Sequence, residues 1–469
     1  MATNVPALQL PAAAPVSAAA RLAYVLHHFR LAYDGAAHLP AIGYFPLMPA
    51  GARIVIGSGE DEFFSSTAPY PAFVSTRPWG GRDLPFLFDD QSGESPLELR
   101  PDGTALIKPD IVSAAFYLLS GWQEYHSAKR DRHGRFPYEA SVQKQYDFVA
   151  VPVVNYYFDV LKTAVEHVLG RELRPRRWAG TAPFAGFITH DVDNLNGGWG
   201  TGARHALRQG QLGQAATLFT HKISGRAAPW NNLAYVQATT ARFGAPSTFF
   251  ILGETDAAPN GTPNADYDAT TPAFRAQLAQ LAAAGAEIGS HGSYGTNENP
   301  AQLRQEIAQL VPERAAGNRF HYLCWEPRRT PAVLAQAGVA YDSTLGFAEQ
   351  FGFRNSYCLP FFPFDFERGE AHPFLEIPLN VMDTTLHHPS YLQLGPEEIL
   401  PALRPMLAEI ERFGGVATVL WHNENFDPAN ARNGPQQFAE LMQYLQQRGA
   451  AFRTGSQIVA ELCRKPVSE

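Results

Sequence analysis

Phe184-Ala185-Gly186-Phe187-Ile188-Thr189-His190-Asp191-Val192-Asp193 runs from apolar residues into three ionisable ones. Its first part, Phe184–Thr189, has the unbroken apolar character of a strand covered on both faces. Beyond it the same grammar recurs. Ser247–Leu252, Glu287–Ser290, Arg319–Leu323, Val339–Asp342, Phe374–Leu379 and Val416–Trp421 are predicted as strands. Helices are predicted between them. One lies near 232–243 and ends at Gly244. Another starts at Thr271-Pro272, places Phe274, Leu278 and Leu281 on one face, and stops at Gly285. Others start at Asn299-Pro300 and at Thr330-Pro331, the latter ending at Gly338. A helix near 396–413 carries Pro401 and Pro405, and a helix–strand–helix fills 435–464. Alternation of this kind predicts a parallel sheet, and at this length a closed β/α-barrel over residues 176–469.

Upstream the pattern is different. Residues 1–18 are rich in Ala and Pro and are expected to form a loose leader. Leu22, Val25, Leu26 and Phe29 share a helical face. A strand is expected at Arg53–Ile56, and helices at about Ile111–Trp122 and Val153–Val168. Residues 57–104 are rich in Gly, Pro, Ser and Asp, and Asp131–Phe136 is charged and turn-like. The polar junction Arg171–Trp178 sets the boundary of a smaller N-terminal α/β domain over 19–175, making the chain α/β throughout.

The 469 residues have a formal net charge of −8 and no run of Lys and Arg, so a nucleic-acid partner is not expected. No stretch is apolar enough for membrane insertion. Cys324, Cys358 and Cys463 are far apart and odd in number, which argues for reduced thiols. With no secretion signal visible, a cytoplasmic location is expected.

Five predicted strands carry ionisable residues at or near their C-terminal ends: Asp191 and Asp193, His291, Arg319 and His321, Asp342, and His422. In β/α-barrels that rim gathers catalytic groups. A single His there is ordinarily a hydrogen-bonded structural residue, but five such positions on one rim point to a site. Asp and His together suit Zn²⁺, and also Mn²⁺, Co²⁺ or Fe²⁺. The spacing of Asp191 and Asp193 puts both carboxylates on one face of an extended segment. One can then hold a metal while the other takes a proton from water.

Residues from about 184 to 464 resemble the polysaccharide deacetylase (NodB-homology) domain of carbohydrate esterase family 4. The resemblance implies a distorted (β/α)7–8 barrel and a hydrolase that removes an acyl group, N-acetyl above all, from a sugar or glycan. By the same resemblance Asp191 is the base and Asp193 a metal ligand. His291 matches the first histidine of the family's second motif, whereas Gly295, Thr296 and Asn297 stand where its second His belongs. The third motif here is Arg319-Phe320-His321-Tyr322, with His321 in place of the usual Pro. It implies that Arg319 steadies the base and that the Tyr322 backbone N–H holds the oxyanion. Leu420-Trp421-His422 matches the last motif and makes His422 the general acid, with Asp342 as its expected acidic partner. The matched loss and gain suggest that His321 replaces the missing metal ligand; the competing reading is a His that supports a ligand from behind or contacts substrate. Phe116–Tyr125 and Asp131–Phe136 resemble an accessory domain found ahead of such barrels in bacterial proteins. Two alternatives stay open at this point: a metal-independent cyclic-amide hydrolase of the same fold, and a non-catalytic glycan-binding module.

Overall fold

The computed structural model describes residues 15–57, 62–208, 213, 216, 220, 228–310, 317–428, 430 and 433–464. Its centre is a parallel sheet. Along the hydrogen-bonded path the strands are Leu375–Glu376, Tyr341–Asp342, Gly317–Phe320, Glu287–Gly292, Thr248–Leu252, Ala185–Val192, Val416–Leu420 and Val381–Met382. A ninth, Ala451–Phe452, pairs with Ala185 and Gly186, below the stretch of the same edge that Thr248–Leu252 occupies. The sheet curls. Three strand spacings would hold Thr189 and Arg319 about 14 Å apart in a flat sheet, yet Arg319 Nη1 lies 2.7 Å from Thr189 Oγ1. The path stays open between Leu375–Glu376 and Val381–Met382, so the expected barrel is an incompletely closed one.

The helices start and stop for the reasons visible in sequence. Thr271 caps Pro272–Ala283 by accepting from the Phe274 N–H, and Gly338 ends Thr330–Ala337 in the left-handed conformation. Pro396–Phe413 runs unbroken past Pro401 and Pro405. Arg319–Leu323 was expected to be strand throughout, but it leaves the sheet at Phe320 and turns over His321–Leu323.

The N-terminal region has a four-stranded sheet in the order Ile42–Tyr44, Ile54–Ile56, Ala105–Ile107, Leu97–Leu99. It also has an antiparallel hairpin, Val74–Trp79 with Arg82–Leu87, inside the Gly/Pro-rich stretch. Residues 1–14 of the expected leader lie outside the described residues. Val16 and Ala18 are buried, and Ser17 caps a helix over Ala18–Ala32, so the leader was drawn too long. Apolar packing runs without a break across the Arg171–Trp178 junction, with Phe116 edge-on to Phe364 at 4.8 Å between ring centroids. Among the described residues no helix is long and apolar enough to cross a membrane.

One buried ion pair ties the two regions. Arg354 Nε and Nη2 donate to Glu124 at 2.8 and 2.6 Å, with both side chains almost fully enclosed. Truncating one partner strands the other charge, so Glu124→Ala is expected to cost about 3–5 kcal/mol in urea unfolding. Glu124→Met combined with Arg354→Met should recover most of it. A single truncation with unchanged stability would mean that water reaches the pair.

Candidate metal centre and active site

The strand Ala185–Val192 runs on through His190 and Asp191, and Asp193 follows it directly. Side chains alternate along it. Thr189 and Asp191 face the concave side, where Arg319 Nη1 donates to both, at 2.7 and 2.9 Å. His190 faces the other way. Its Nδ1 meets the Trp421 carbonyl at 2.8 Å and its ring packs near Phe249, Phe426 and Phe438. It looks like its neighbours in sequence but stands outside the site.

Asp193, His291 and His321 each turn one ligand atom to a common point, all within 4.8 Å of one another. His291 Nε2 lies 3.3 Å from Asp193 Oδ1, and His321 Nδ1 lies 3.4 Å from the same oxygen. The two facing imidazole nitrogens are 3.2 Å apart. Each ring's other nitrogen meets a backbone carbonyl: His291 Nδ1 that of Arg319 at 2.8 Å, His321 Nε2 that of Pro263 at 3.2 Å. Those carbonyls require N–H donors, which fixes both tautomers in the neutral rings. With both rings in those tautomers, two lone pairs and a carboxylate oxygen face one another, and among the described residues Asp193 Oδ1 has no other hydrogen-bond partner. Such a group needs a cation or a proton at its centre, and its donor set suits a divalent metal. Burial lowers His321 to about 4, which keeps it neutral and able to ligate. Burial alone would raise the Asp193 carboxyl, but His321, His291 and His422 hold it well below the usual carboxylate range.

His422 borders this group, its Nε2 3.7 Å from Asp193 Oδ2. Its partner is Asp383. Asp383 Oδ1 accepts from His422 Nδ1 at 2.7 Å, and Oδ2 accepts from the His422 backbone N–H at 2.7 Å and from Asn425 at 2.6 Å. Asp342, expected in that place, is elsewhere. It is buried at the far strand pair, where it accepts from Asn318 Nδ2 at 2.8 Å and the Thr344 N–H at 2.9 Å. Burial raises its pKa beside Glu376. The carboxylate that reaches His422 must lie on a neighbouring strand. Val381–Met382, which leads into Asp383, pairs directly with Val416–Leu420, whereas Tyr341–Asp342 does not.

Asp191, Asp193, His291, His321, Tyr322 and His422 line one cavity of about 210 Å³, and Arg319 sits behind it on Asp191. Arg132, His133 and Arg135 from the N-terminal region line it too. Sequence reasoning marked that segment as a charged turn of an accessory domain and placed none of it at the site. Tyr322 and Leu323 have φ of 57° and 55°, a left-handed pair that costs about 1–2 kcal/mol per residue. A larger cavity, about 930 Å³, gathers Arg30, Arg176 and Arg453 and none of the candidate residues.

Comparison with known proteins gives limited matches. A family of unknown function (DUF7033) matches residues 37–169. No curated protein matches the chain. Solved structures resemble part of the chain at low identity. A candidate polysaccharide deacetylase from Mycobacterium smegmatis is 18% identical with a TM-score of 0.40, over 61% of this chain and 93% of that one. The allantoinase PuuE is 15% identical with a TM-score of 0.40, over 61% and 93%. A probable polysaccharide deacetylase from Pseudomonas aeruginosa PAO1 is 17% identical with a TM-score of 0.39, over 61% and 92%. Likenesses this distant carry no functional weight, and the chemistry of the site rests on its own residues.

Proposed function

We propose that the protein is a metal-dependent hydrolase that removes an acyl group, N-acetyl in the first place, from a carbohydrate. The observation that carries this is the set Asp193 Oδ1, His291 Nε2 and His321 Nδ1, three acceptors facing one point, flanked by one Arg-held carboxylate and one Asp-held imidazole. Those three side chains would hold the ion. A divalent metal held there would lower the pKa of a water toward about 7 and would supply positive charge to polarise an acyl carbonyl. Zinc fits the donor set best, with Mn, Co or Fe as lesser candidates.

The chain's own residues do the rest. Asp191 takes the water's proton, and Arg319 keeps that carboxylate oriented. The Tyr322 backbone N–H is the assigned donor to the developing oxyanion. His422 gives its proton to the leaving nitrogen. Burial would lower the His422 pKa, but Asp383, followed by Asp193 and Asp191, raises it to about 10. It is therefore a charged donor at neutral pH, and its function is lost as pH rises through that value. Asp383→Asn removes the principal raising charge. The alkaline limb of kcat/KM should move down by at least about one pH unit. An unmoved limb would take His422 out of the acid role.

The proposal is tested by measuring acetate release from N- and O-acetylated sugars and glycans, with and without added Zn²⁺, Mn²⁺ or Co²⁺. Release that a chelator abolishes and metal restores is expected. Chelator-resistant turnover would contradict metal dependence.

A further inference from the structure

The turn that carries His321 and Tyr322 is held in its left-handed shape from outside the C-terminal sheet. Arg135 Nη1 donates to the Tyr322 carbonyl at 2.9 Å. Arg135 is itself clamped: its Nε and Nη2 meet Asp131 Oδ2 at 2.7 and 2.6 Å. The other Asp131 oxygen accepts from the backbone N–H groups of His133 and Arg135, at 2.8 and 2.9 Å. The loop is thus pre-formed around one carboxylate. The His133 ring stacks on Tyr322, 4.8 Å between centroids and 15° from parallel. Just past the turn, Arg130 pairs with Glu326 at 3.0 Å. Consecutive left-handed residues other than glycine persist only where their surroundings hold them. These contacts grip Tyr322 by its carbonyl and by its ring.

We propose that the segment Arg130–Arg135 is a working part of the hydrolase site, with Arg135 a positioning residue that holds the His321–Leu323 turn in the shape catalysis requires. The region matching the family of unknown function would then serve to complete its neighbour's active site. The kinetic consequence rests on the hydrolase function proposed above; the structural one does not.

Arg135→Ala should lower kcat about 10–100-fold, with KM changed less than about threefold, and should retain bound metal, because His321 keeps its Pro263 contact. Arg135→Lys, which can still donate to the Tyr322 carbonyl, should recover part of the loss. A variant with unchanged kcat would overturn the proposal. If Arg135→Ala fails to fold, Asp131→Asn frees Arg135 while leaving an oxygen for the two loop N–H groups. It should show the same split between kcat and KM, and an unchanged kcat there would also overturn the proposal. A crystal structure of the folded variant decides independently of turnover. Tyr322 should leave the left-handed region and separate from His133. An unaltered turn would overturn the proposal even if the wild-type protein released acetate from no sugar, a result that would by itself refute only the hydrolase function.

Discussion

Asp191→Asn should reduce turnover about 10³-fold, equivalent to about 4 kcal/mol of barrier, with metal content unchanged. The amide cannot take the proton from water, yet it retains the size and one oxygen of the carboxylate. Arg319 keeps its bonds to Thr189 Oγ1, the Ser343 carbonyl and Ser343 Oγ, so the fold should survive the lost charge. The three proposed metal ligands are untouched. Asp193→Asn should do the reverse and release the metal. Metal analysis beside single-turnover kinetics separates the two. Should the roles prove exchanged, Asp193→Asn will keep metal and lose turnover. Full activity in both variants would place the chemistry elsewhere.

His321→Ala should weaken metal binding as severely as His291→Ala. Losing a partner behind a ligand typically costs 10–100-fold in affinity, so losing the ligand itself should cost at least about 10²-fold. The geometry motivates the equality. The two rings present nitrogens 3.2 Å apart, each with its opposite nitrogen on a carbonyl. Competition with a fluorescent chelator measures the effect. If His321→Ala binds metal normally and only raises KM, the ring is a substrate contact. The third ligand would then be sought at Ser293, Asn297 or water.

Much of this site is legible in the sequence because a parallel strand delivers its last residues to a single rim. Period-two alternation separates Asp191 and Asp193 from His190, and a His where a Pro is usual makes His321 stand out. Asp383 was missed for a physical reason. The strand leading into it is two residues long, too short to show a pattern, and which strand neighbours Val416–Leu420 is decided by the strand order of the whole sheet. Asp342 had the better local pattern but sits at the wrong place in the strand order. The contribution of Arg135 was out of reach for a similar reason, since its partner Tyr322 is 187 positions away and only packing brings the two together. The Val74–Leu87 hairpin lay hidden among turn-forming residues, where short strands are hard to tell from loops.

The central claim is that Asp193, His291 and His321 hold one divalent ion at the base of the cavity. Anomalous diffraction from a crystal of the protein equilibrated with zinc tests it most directly. The account predicts one strong peak about 2.0–2.2 Å from Asp193 Oδ1, His291 Nε2 and His321 Nδ1, absent from crystals of His291→Ala. No peak at those three atoms, or a peak held by other side chains, would contradict it.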